Sequence, residues 1–386
     1  MRNTTLKKTS IIISFSTYLM LLPGCGQSEN IELTNNSSDR VNPPSFDLGE
    51  VQNEFSVSSI ADSGPGTLRE AIQLANAAAG TDKIIFQSDG DLYKQPQSIY
   101  LESPLPEISD DLLIDGYIDE MLWKPSGVIL DGQKKHQILK IAQNTKVKIK
   151  HLSFKHGNSN YGAAINSNGE LIVDSSTFAN NRAAKHGGAI ISDNGQLIIY
   201  NSTFYQNSST HQGGGVFCKS GDLSLTNNTF SENTANTGGA LYSQCEIAAS
   251  NNILANSASE TDCFSTTVFD TPENSNIIES EAGCGVSFSN KDPLLTSLDY
   301  YNGPVQTMPF GQGSPAMNFG NNELAVNEHG EKLIWDQRGN GDPRYVLGFT
   351  DIGAFELQPI LHPLIVDTLE DVDYRTCSVV SNDCSL

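Results

Sequence analysis

Two histidines are the side chains of this sequence best placed to do chemistry together. His186 stands one residue before the pair Gly187-Gly188, and His211 stands two residues before Gly213. Because both glycine positions begin equivalent segments of a repeat, the two imidazoles would lie near one another on successive repeats. Such a pair could bind a metal ion or transfer protons. Solvent-exposed corner positions are the simpler interpretation, and we predict no metal site and no catalytic residue.

Carboxylates and tyrosines give weaker signals. Hydrolysis of a glycosidic bond needs two or three facing carboxylates, and a lyase needs a base beside acidic calcium ligands. Asp110-Asp111 stands alone, and no repeat carries acidic residues at one equivalent position. Tyr161, Tyr200 and Tyr205 could stack on sugars, but we expect them to pack locally. The cysteines lack the CxxC or His/Cys spacing typical of zinc, so no cofactor is predicted.

The elements that position these residues come from a pattern that occurs four times between about residues 162 and 256. The copies begin GAAI, GGAI, GGGV and GGAL, and successive copies start 25 or 26 residues apart. Each copy continues with a short apolar strand, an anchor and, three residues later, an asparagine: Phe178 and Asn181, Phe204 and Asn207, Phe230 and Asn233, Ile253 and Asn256. A fixed period built from short β-branched strands, broken by Gly and Asn, predicts the stacked coils of a parallel β-solenoid.

Stacked coils would give these positions physical roles. The coils would lie about 4.8 Å apart, so equivalent side chains would form ladders. The three phenylalanines would stack inside. The asparagines would stack at a corner, each amide bonding its neighbour and a turn backbone for roughly 0.5–1.5 kcal/mol net per bond. The glycines suit a corner that needs a positive φ or a close approach of two backbones.

The charge of the chain excludes one class of partner. The formal net charge is −22 at pH 7, and it becomes −25 without the first 24 residues, which hold three basic residues and no acid. A surface this acidic repels nucleic acid and anionic lipid. We therefore expect no nucleic-acid partner.

The N-terminus has the features of an export signal. Basic residues precede an apolar run over residues 11–22, which is too short to span a bilayer. The sequence Leu22-Pro23-Gly24-Cys25 follows and resembles a bacterial lipobox, in which the signal is removed before the cysteine and the thiol is acylated. We predict a signal peptide over residues 1–24, lipidation of Cys25 and a flexible tether over residues 25–53. The lipobox resemblance, with Gly26 after the cysteine, implies lipid attachment to the outer membrane, at the cell surface or the periplasmic face.

Lipidation of one cysteine would leave six, an even number in an exported protein. These six form three candidate disulfide pairs: Cys263 with Cys284, Cys377 with Cys384, and Cys218 with Cys245. The first would be worth about 3 kcal/mol if unstrained. The last pair falls on neighbouring coils, five and seven residues after their glycines. That offset would stretch a bridge beyond about 7 Å unless the strand shifts.

A single amphipathic helix is predicted just before the solenoid. Thr67 and Glu70 form a capping box, and Gly80 would end the helix. The expected apolar stripe is Leu68, Ile72, Ala75 and Ala79. A short helix at this point would cover the open edge of the first coil.

Several motifs resemble those of a known family. The segment IADSGPGTLREAIQLAN is similar to the DSGPGSLREAI-type N-terminal segment of exported bacterial β-helix proteins, and the GGA(I/L) and FxxN elements look like the repeats of polymorphic outer-membrane proteins. Farther on, DPLL, Asn302-Gly303, GSPAMNFG, DQRG, Arg344 and DIGAFE resemble the choice-of-anchor Q domain, with Gly303-Pro304 where that family usually has two glycines. The resemblance covers about residues 55–356. It implies an architecture and a varied surface anchor, because the activity of the family is mostly uncharacterised.

These observations predict an all-β fold, a right-handed parallel β-helix (solenoid) with a short N-terminal capping helix and a loop-rich C-terminal cap. The solenoid with its N-terminal cap would occupy residues 54–295, the choice-of-anchor Q-like cap residues 296–356, and a tail residues 357–386. Ion pairs that serve structure are expected in the C-terminal cap, among Asp336, Arg338, Arg344 and Asp351. The predicted function is that of a monomeric, non-catalytic envelope lipoprotein, a binding module or adhesin for glycan or another envelope component. The alternatives are a polysaccharide lyase or hydrolase with an unrecognised site, and a structural envelope protein.

Overall fold

Short strands that pair with their counterparts one coil away make up nearly all the regular structure of this chain. The structure is a computed structural model, and it describes residues 46–87, 95–118, 127–267, 275–284, 287 and 289–358. All twenty-two pairings between its named strands are parallel. The fold is a right-handed parallel β-solenoid, as the repeat predicted.

The elements follow one another in chain order as short strands with one helix near the start. The first are β1 (Asn53–Val57), α1 (Leu68–Ala77), β2 (Asp82–Phe86), β3 (Gln97–Tyr100), β4 (Leu112–Asp115), β5 (Val128–Asp131), β6 (Leu139–Ile141), β7 (Lys146–Lys150) and β8 (Leu152–Lys155). The regular coils continue with β9 (Asn158–Tyr161), β10 (Ile165–Ser167), β11 (Glu170–Asp174), β12 (Thr177–Ala179), β13 (Arg182–His186), β14 (Ile190–Ser192), β15 (Gln196–Tyr200), β16 (Thr203–Tyr205) and β17 (Ser208–Ser209). The last are β18 (Val216–Cys218), β19 (Asp222–Thr226), β20 (Thr229–Ser231), β21 (Leu241–Ser243), β22 (Glu246–Ser250), β23 (Ile253–Ala255), β24 (Cys263–Ser265), β25 (Ile277–Ile278) and β26 (Glu281–Ala282).

Three long sheets run the length of the described solenoid, and a short fourth sheet fills one corner. Sheet A has the order β1-β2-β4-β7-β11-β15-β19-β22, and sheet B has the order β3-β5-β8-β12-β16-β20-β23-β25. Sheet C runs β6-β10-β14-β18-β21-β24-β26, and sheet D is β9-β13-β17. One coil therefore passes from sheet A through sheets B and D to sheet C, as β11, β12, β13 and β14 do.

The core is a ladder of equivalent side chains, because every second residue of a strand points inward. Phe154, Phe178, Phe204 and Phe230 pair across sheet B and are completely buried. Their ring centroids are 4.8, 4.7 and 4.5 Å apart, with interplanar angles of 3°, 7° and 9°. Aliphatic residues of sheets A and C fill the rest of the interior.

Left-handed backbone conformations make the corners. Each regular strand of sheet B lies between two residues with positive φ, such as Asn201 (50°) and Gln206 (52°) on either side of β16. A third corner falls at the repeated glycines, where Gly162, Gly187 and Gly213 have φ of 52°, 65° and 64°. Asparagine and glycine tolerate this conformation better than other residues, which explains why the repeat is rich in both.

The predicted helix is present as α1, with small differences in extent. The N–H of Glu70 donates to Thr67 Oγ1 (3.3 Å), and Glu70 Oε2 accepts from the Gly66 N–H (2.6 Å). The buried face contains Leu68, Ala71, Ile72 and Ala75. Ala79 was wrongly included, because the helix ends at Ala77 and Ala79 is exposed. The helix packs against β1 and β2, the first strands of sheet A.

The loop-rich segment over residues 289–358, which we call the flanking segment, lies along the flank of the solenoid. It meets β12 through Thr177 Oγ1, which donates to the Gln306 carbonyl. It also meets the corner before β23, where the Gly353 N–H donates to the Asn251 carbonyl (2.8 Å). Its contacts thus extend over several coils of sheet B, beyond the C-terminal end at which the cap was expected. The reason is a row of outward-facing polar groups on sheet B, to which the segment binds.

Candidate binding surface

The corner ladder of asparagines positions the coils on one side of sheet B. Asn207 Nδ2 donates to the Phe178 carbonyl (2.9 Å) and to Asn233 Oδ1 (3.0 Å), and its own Oδ1 accepts from Asn181 Nδ2 (2.9 Å). All three asparagines are completely buried. The three side chains therefore bond one another in the way that the spacing predicts.

Asn256 does not belong to that ladder. Phe230 pairs with Leu254 and not with Ile253, so the residue equivalent to Asn233 is Ser257. Asn256 instead takes the exposed corner position with a φ of 60°. The predicted register was one residue off at this coil, because Ile253 occupies the outward position that threonine holds in the coils before it.

A second ladder of buried polar side chains lies at the other corner of sheet B and was not predicted. Its members stand two residues before each inward anchor and are Ser176, Ser202, Asn228, Asn252 and Asn276. Asn228 Nδ2 donates to Asn252 Oδ1 (3.0 Å), and Asn252 Nδ2 donates to Asn276 Oδ1 (2.9 Å). The sequence signal was the recurring Ser or Asn in NSTF, NNTF and NNIL.

Replacement of one ladder asparagine should destabilise the solenoid. We expect Asn207→Ala to lower the free energy of unfolding by about 1–3 kcal/mol, because it leaves buried amide and carbonyl groups without partners. Chemical denaturation measures the loss. Gln206→Ala, one residue earlier and exposed, is the control and should change stability by less than about 1 kcal/mol. Equal losses in both variants would contradict the ladder.

Two disulfides close loops within the last coils. Cys263 and Cys284 are bonded with a Cα–Cα distance of 6.0 Å, and Cys218 and Cys245 are bonded with 5.8 Å. The expectation that the second bridge would be overstretched was wrong. Cys218 pairs in register with Ser243, where β21 ends, so Cys245 does not continue along the strand but lies in the turn before β22. Cys25, Cys377 and Cys384 lie outside the described residues.

Two of the three long outer faces are covered by other parts of the chain. On sheet A, Ile172, Ile198 and Tyr200 point outward and are buried beneath Phe46, with Leu48 and Leu333 packed at the edge. The Tyr200 hydroxyl donates to Glu328 Oε2 (2.8 Å). Tyr200 is therefore a packing residue, 3% exposed.

Sheet B is covered by the flanking segment. Its outward row carries one threonine per coil, Thr177, Thr203 and Thr229, and all three bond that segment. In the next two coils Ile253 and Ile277 take the same position and pack with Phe310, Ala316 and Ile352. The threonine before each phenylalanine was the sequence signal for this docking surface.

Sheet C and the adjoining corner of sheet D form the remaining outer surface, on which no other chain segment is seen to pack within the described residues. Its outward row on sheet C contains Ile191, Phe217, Tyr242 and Phe264, which pack along the solenoid axis. The rings of Phe217 and Tyr242 are 5.3 Å apart, and those of Tyr242 and Phe264 are 5.0 Å apart. The rings cover one another's faces, and Ile191, Phe217 and Tyr242 are only 4–6% exposed, so this row offers no open plane for stacking on sugars.

The two predicted histidines meet at the corner beside this row. The rings of His186 and His211 are 5.4 Å apart, and His186 also stacks on Phe217 (5.0 Å) and Tyr161 (5.9 Å). Burial, followed by the charges of His211 and Lys185, lowers the pKa of His186 below its usual 6.5. His186 Nδ1 is buried and has no hydrogen-bond partner. His186 is thus a neutral packing imidazole near pH 7.

The tyrosines of the prediction fall in different places. Tyr161 is 37% exposed, and its hydroxyl accepts from Lys185 Nζ (3.0 Å). Tyr205 is half-buried, and its hydroxyl accepts from Gln206 Nε2 (2.9 Å). Tyr161 is the one of the three that lies on the uncovered surface.

A block of positively charged residues, some of which lie at this corner, was not recognised in the sequence. Residues 132–192 contain nine Lys or Arg residues and two acids, although the whole chain has a net charge of −22. Five of the nine make polar contacts elsewhere: Lys140 with Glu107, Lys146 with the Asp47 carbonyl, Lys148 with Glu328, Lys150 with Asp115 and Asp174, and Lys155 with Gln306. Counting the charge of each segment separately, and not of the whole chain, would have revealed this block.

Two His–Asp pairs lie at corners of the early coils. His151 Nδ1 is 3.0 Å from Asp115 Oδ1, and His156 Nδ1 is 2.9 Å from Asp131 Oδ2. Burial is the largest single effect on the pKa of Asp115 and would raise it. The hydrogen bond and charge of His151, with smaller contributions from Lys150 and the Tyr117 N–H, together outweigh burial and lower the pKa to about 2. His156 is the more accessible histidine of the two. Such a pair orients an imidazole and could support a general base.

Of the residues predicted to form ion pairs in the flanking segment, Asp336 and Arg338 pair with each other and are buried. Arg338 pairs with Asp336 (2.6 Å) and with Asp342 (2.9 Å). Arg344 is 1% exposed and donates to Asn201 Oδ1 (2.7 Å) and to the Gly353 (2.9 Å) and Ala354 (2.6 Å) carbonyls. Asp351 instead accepts backbone N–H groups. These contacts fix the segment to the solenoid, which is a structural role.

Glu356 makes this cluster sensitive to pH. Burial, more than repulsion by Asp351 and Asp336, raises its pKa to about 9, although Arg344 lies 3.6 Å away. The folded state therefore keeps a proton that the unfolded state loses above about pH 4.3. The stability that it contributes is complete below that pH and is lost as the pH rises toward 9.

The measurement is the free energy of unfolding at a series of pH values from 5 to about 9. We expect a decrease of at most about 1.4 kcal/mol per pH unit from this one proton, and Glu356→Gln should flatten the decrease. Glu331→Gln, an exposed carboxyl in the same segment, should leave the slope unchanged. An unchanged slope in Glu356→Gln would show that this carboxyl is ionised throughout.

Comparison with known proteins agrees with the geometry. Residues 126–293 match the family model described as the right handed beta helix region. With the observed coils, this match supports the right-handed parallel β-helix fold. No curated protein matches the sequence. In the described part of the chain, no helix is long and apolar enough to cross a membrane, and no group of three or more His, Cys, Asp or Glu side chains could hold a metal ion.

Proposed function

We propose that this chain is a cell-envelope lipoprotein whose solenoid is a non-catalytic binding module for glycan or another envelope component. The observation that carries the proposal is the uneven covering of the solenoid. Sheets A and B are overlaid by residues 46–48 and 304–356, whereas the surface of sheet C and sheet D has no such cover among the described residues. A long rigid face of this kind suits an extended ligand.

The cellular location of the protein is part of the same proposal. The lipobox-like sequence before Cys25 and the tether after it support attachment by lipid to the outer membrane, and the DPLL to DIGAFE motifs support membership of the choice-of-anchor Q group. The test is fractionation of cells that express the full chain. Cys25→Ala should move the protein from the membrane fraction to a soluble one, and a variant that stays with the membrane would contradict the lipid anchor.

The binding role is tested with the full chain in detergent and a panel of neutral and acidic polysaccharides. Retention of the protein without a change in polymer length is expected. Loss of polymer length would replace the binding role with an enzymatic one. Absence of retention by every polymer would contradict glycan as the ligand and leave a protein component of the envelope.

A polysaccharide-cleaving enzyme is the second candidate, because a β-helix fits either role. The His156–Asp131 pair favours it, since a carboxylate holds Nδ1 and leaves Nε2 as the possible base. In an elimination this nitrogen would take a proton from the sugar carbon beside the sugar's own carboxylate. A double bond forms, the glycosidic C–O bond breaks, and the leaving oxygen takes a proton from water. His156→Asn should abolish any cleavage seen with the parent, and undiminished cleavage would exclude this pair.

A further inference from the structure

Four exposed cations cluster at the corner formed by sheet D. They are Lys134, Lys135, Arg182 and Lys185, all exposed. Among the described residues, no carboxylate lies within ion-pair distance of any of them. We call these four residues the basic stripe.

The basic stripe follows the solenoid axis. The Asn158 side chain donates to the Lys134 carbonyl (2.8 Å), and Asn158 pairs in register with Arg182 on the next coil. Lys185 lies three residues after Arg182, with its ammonium group 5.0 Å from the centroid of the Tyr161 ring. With about 4.8 Å between coils, the charged residues span roughly 10 Å along the axis.

Acidic residues lie at both ends of the stripe. On the coil below, Glu102 is exposed and Glu107 pairs with Lys140 (3.1 Å). On the coils above, Glu232 accepts from Gln206 Nε2 (2.8 Å) at the corner of sheet B. Because the remainder of the chain carries the excess of negative charge, the stripe is a local site for an anion in a surface that otherwise repels one.

We propose that the basic stripe binds a linear acidic polysaccharide, lying along the solenoid axis at the sheet D corner. The inference rests on the proposed binding function and names its ligand class. Carboxylates of the polymer would pair with the four cations, and its hydroxyls would meet the exposed amides of Asn158 and Asn160.

The dimensions favour a single polymer chain over a nucleic-acid duplex. A duplex needs phosphate contacts over a broad surface, and along the axis it would bring phosphates against the acidic residues at either end of the stripe. A single polysaccharide strand can follow one corner of the coils. Amide groups interleaved with cations also match a ligand that carries both hydroxyls and carboxylates.

The test compares polygalacturonate with the same polymer fully methyl-esterified, which has no charge. The full chain in detergent is titrated with each polymer. We expect binding to polygalacturonate that weakens as salt is raised, and much weaker binding to the ester. Arg182→Gln/Lys185→Gln and Lys134→Gln/Lys135→Gln should each weaken binding of polygalacturonate roughly tenfold.

Lys219→Gln/Lys332→Gln is the matched control, because it removes two exposed cations outside the basic stripe, which pair with Asp193 and Glu323. It should bind like the parent. Equal binding of the two polymers would overturn the acidic ligand but keep a glycan-binding function. If the protein binds neither polymer, both the acidic ligand and the glycan-binding function are overturned for this polymer backbone. Equal weakening by the control would show non-specific attraction. Stripe-dependent binding of duplex DNA that polygalacturonate does not displace would replace the polysaccharide with nucleic acid.

Discussion

Phe204→Asp should abolish the cooperative unfolding transition of the solenoid. Phe204 is completely buried, with its ring centroid 4.7 Å from that of Phe178 and 4.5 Å from that of Phe230. Loss of the ring costs about 3–5 kcal/mol, and an unpaired buried carboxylate adds several more. The sum is comparable with the whole stability of a typical domain, about 5–15 kcal/mol. Circular dichroism during denaturation by urea measures the effect.

Two controls separate the charge from the site. Phe204→Leu keeps an apolar side chain and should lower the free energy of unfolding by only about 1–3 kcal/mol. Thr210→Asp introduces the same charge at an exposed position six residues later and should change stability by less than about 1 kcal/mol. If Phe204→Asp unfolds like the parent, the ring does not lie inside the coil.

Arg344→Met should release the flanking segment while the coils stay folded. The guanidinium bonds Asn201 of the solenoid and two carbonyls of its own segment, and it lies 3.6 Å from Glu356. Removal takes away the hydrogen bonds that these three buried acceptors receive from the guanidinium. A buried acceptor left unsatisfied costs about 1–3 kcal/mol.

Hydrogen exchange read by peptide is the measurement that locates this effect. Peptides from residues 336–356 should lose protection from exchange, whereas peptides from strands β15 and β19 of sheet A should keep it. Arg182→Met, an exposed arginine without an ion pair among the described residues, is the matched control and should change neither region. Unchanged protection of residues 336–356 in Arg344→Met would contradict the role of the buried cluster.

The interior of the solenoid was predictable because it repeats. Parallel pairing places each coil's residues over their counterparts, so a side chain needed inside must recur at the same spacing, as Phe178, Phe204 and Phe230 do. Corners recur for the same reason, since glycine and asparagine accept positive φ. The error at Asn256 came from counting to Ile253, although the pair Asn251-Asn252 matches Asn227-Asn228 and sets the correct register.

The outer faces were not predictable in this way. Thr203 bonds Gln337, 134 residues away, and Asn201 bonds Arg344, 143 residues away. Neither partner belongs to a repeat, so no periodic pattern could connect them. Only the folded chain therefore shows where the flanking segment lies. Because that position decides which surface stays uncovered, the open surface could not be predicted either.

The sequence by itself determined the class of fold, the period of the coils and the inward ladders, because local strand geometry turns a 25- or 26-residue repeat into stacked layers. Among the described residues, the tertiary structure alone decided which face is open and which cations make no ion pair. Lys148 and Lys185 look alike in the sequence, yet the first is held by Glu328 and the second faces solvent. Charge pairing depends on distances between residues far apart in the chain, and those distances exist only after folding.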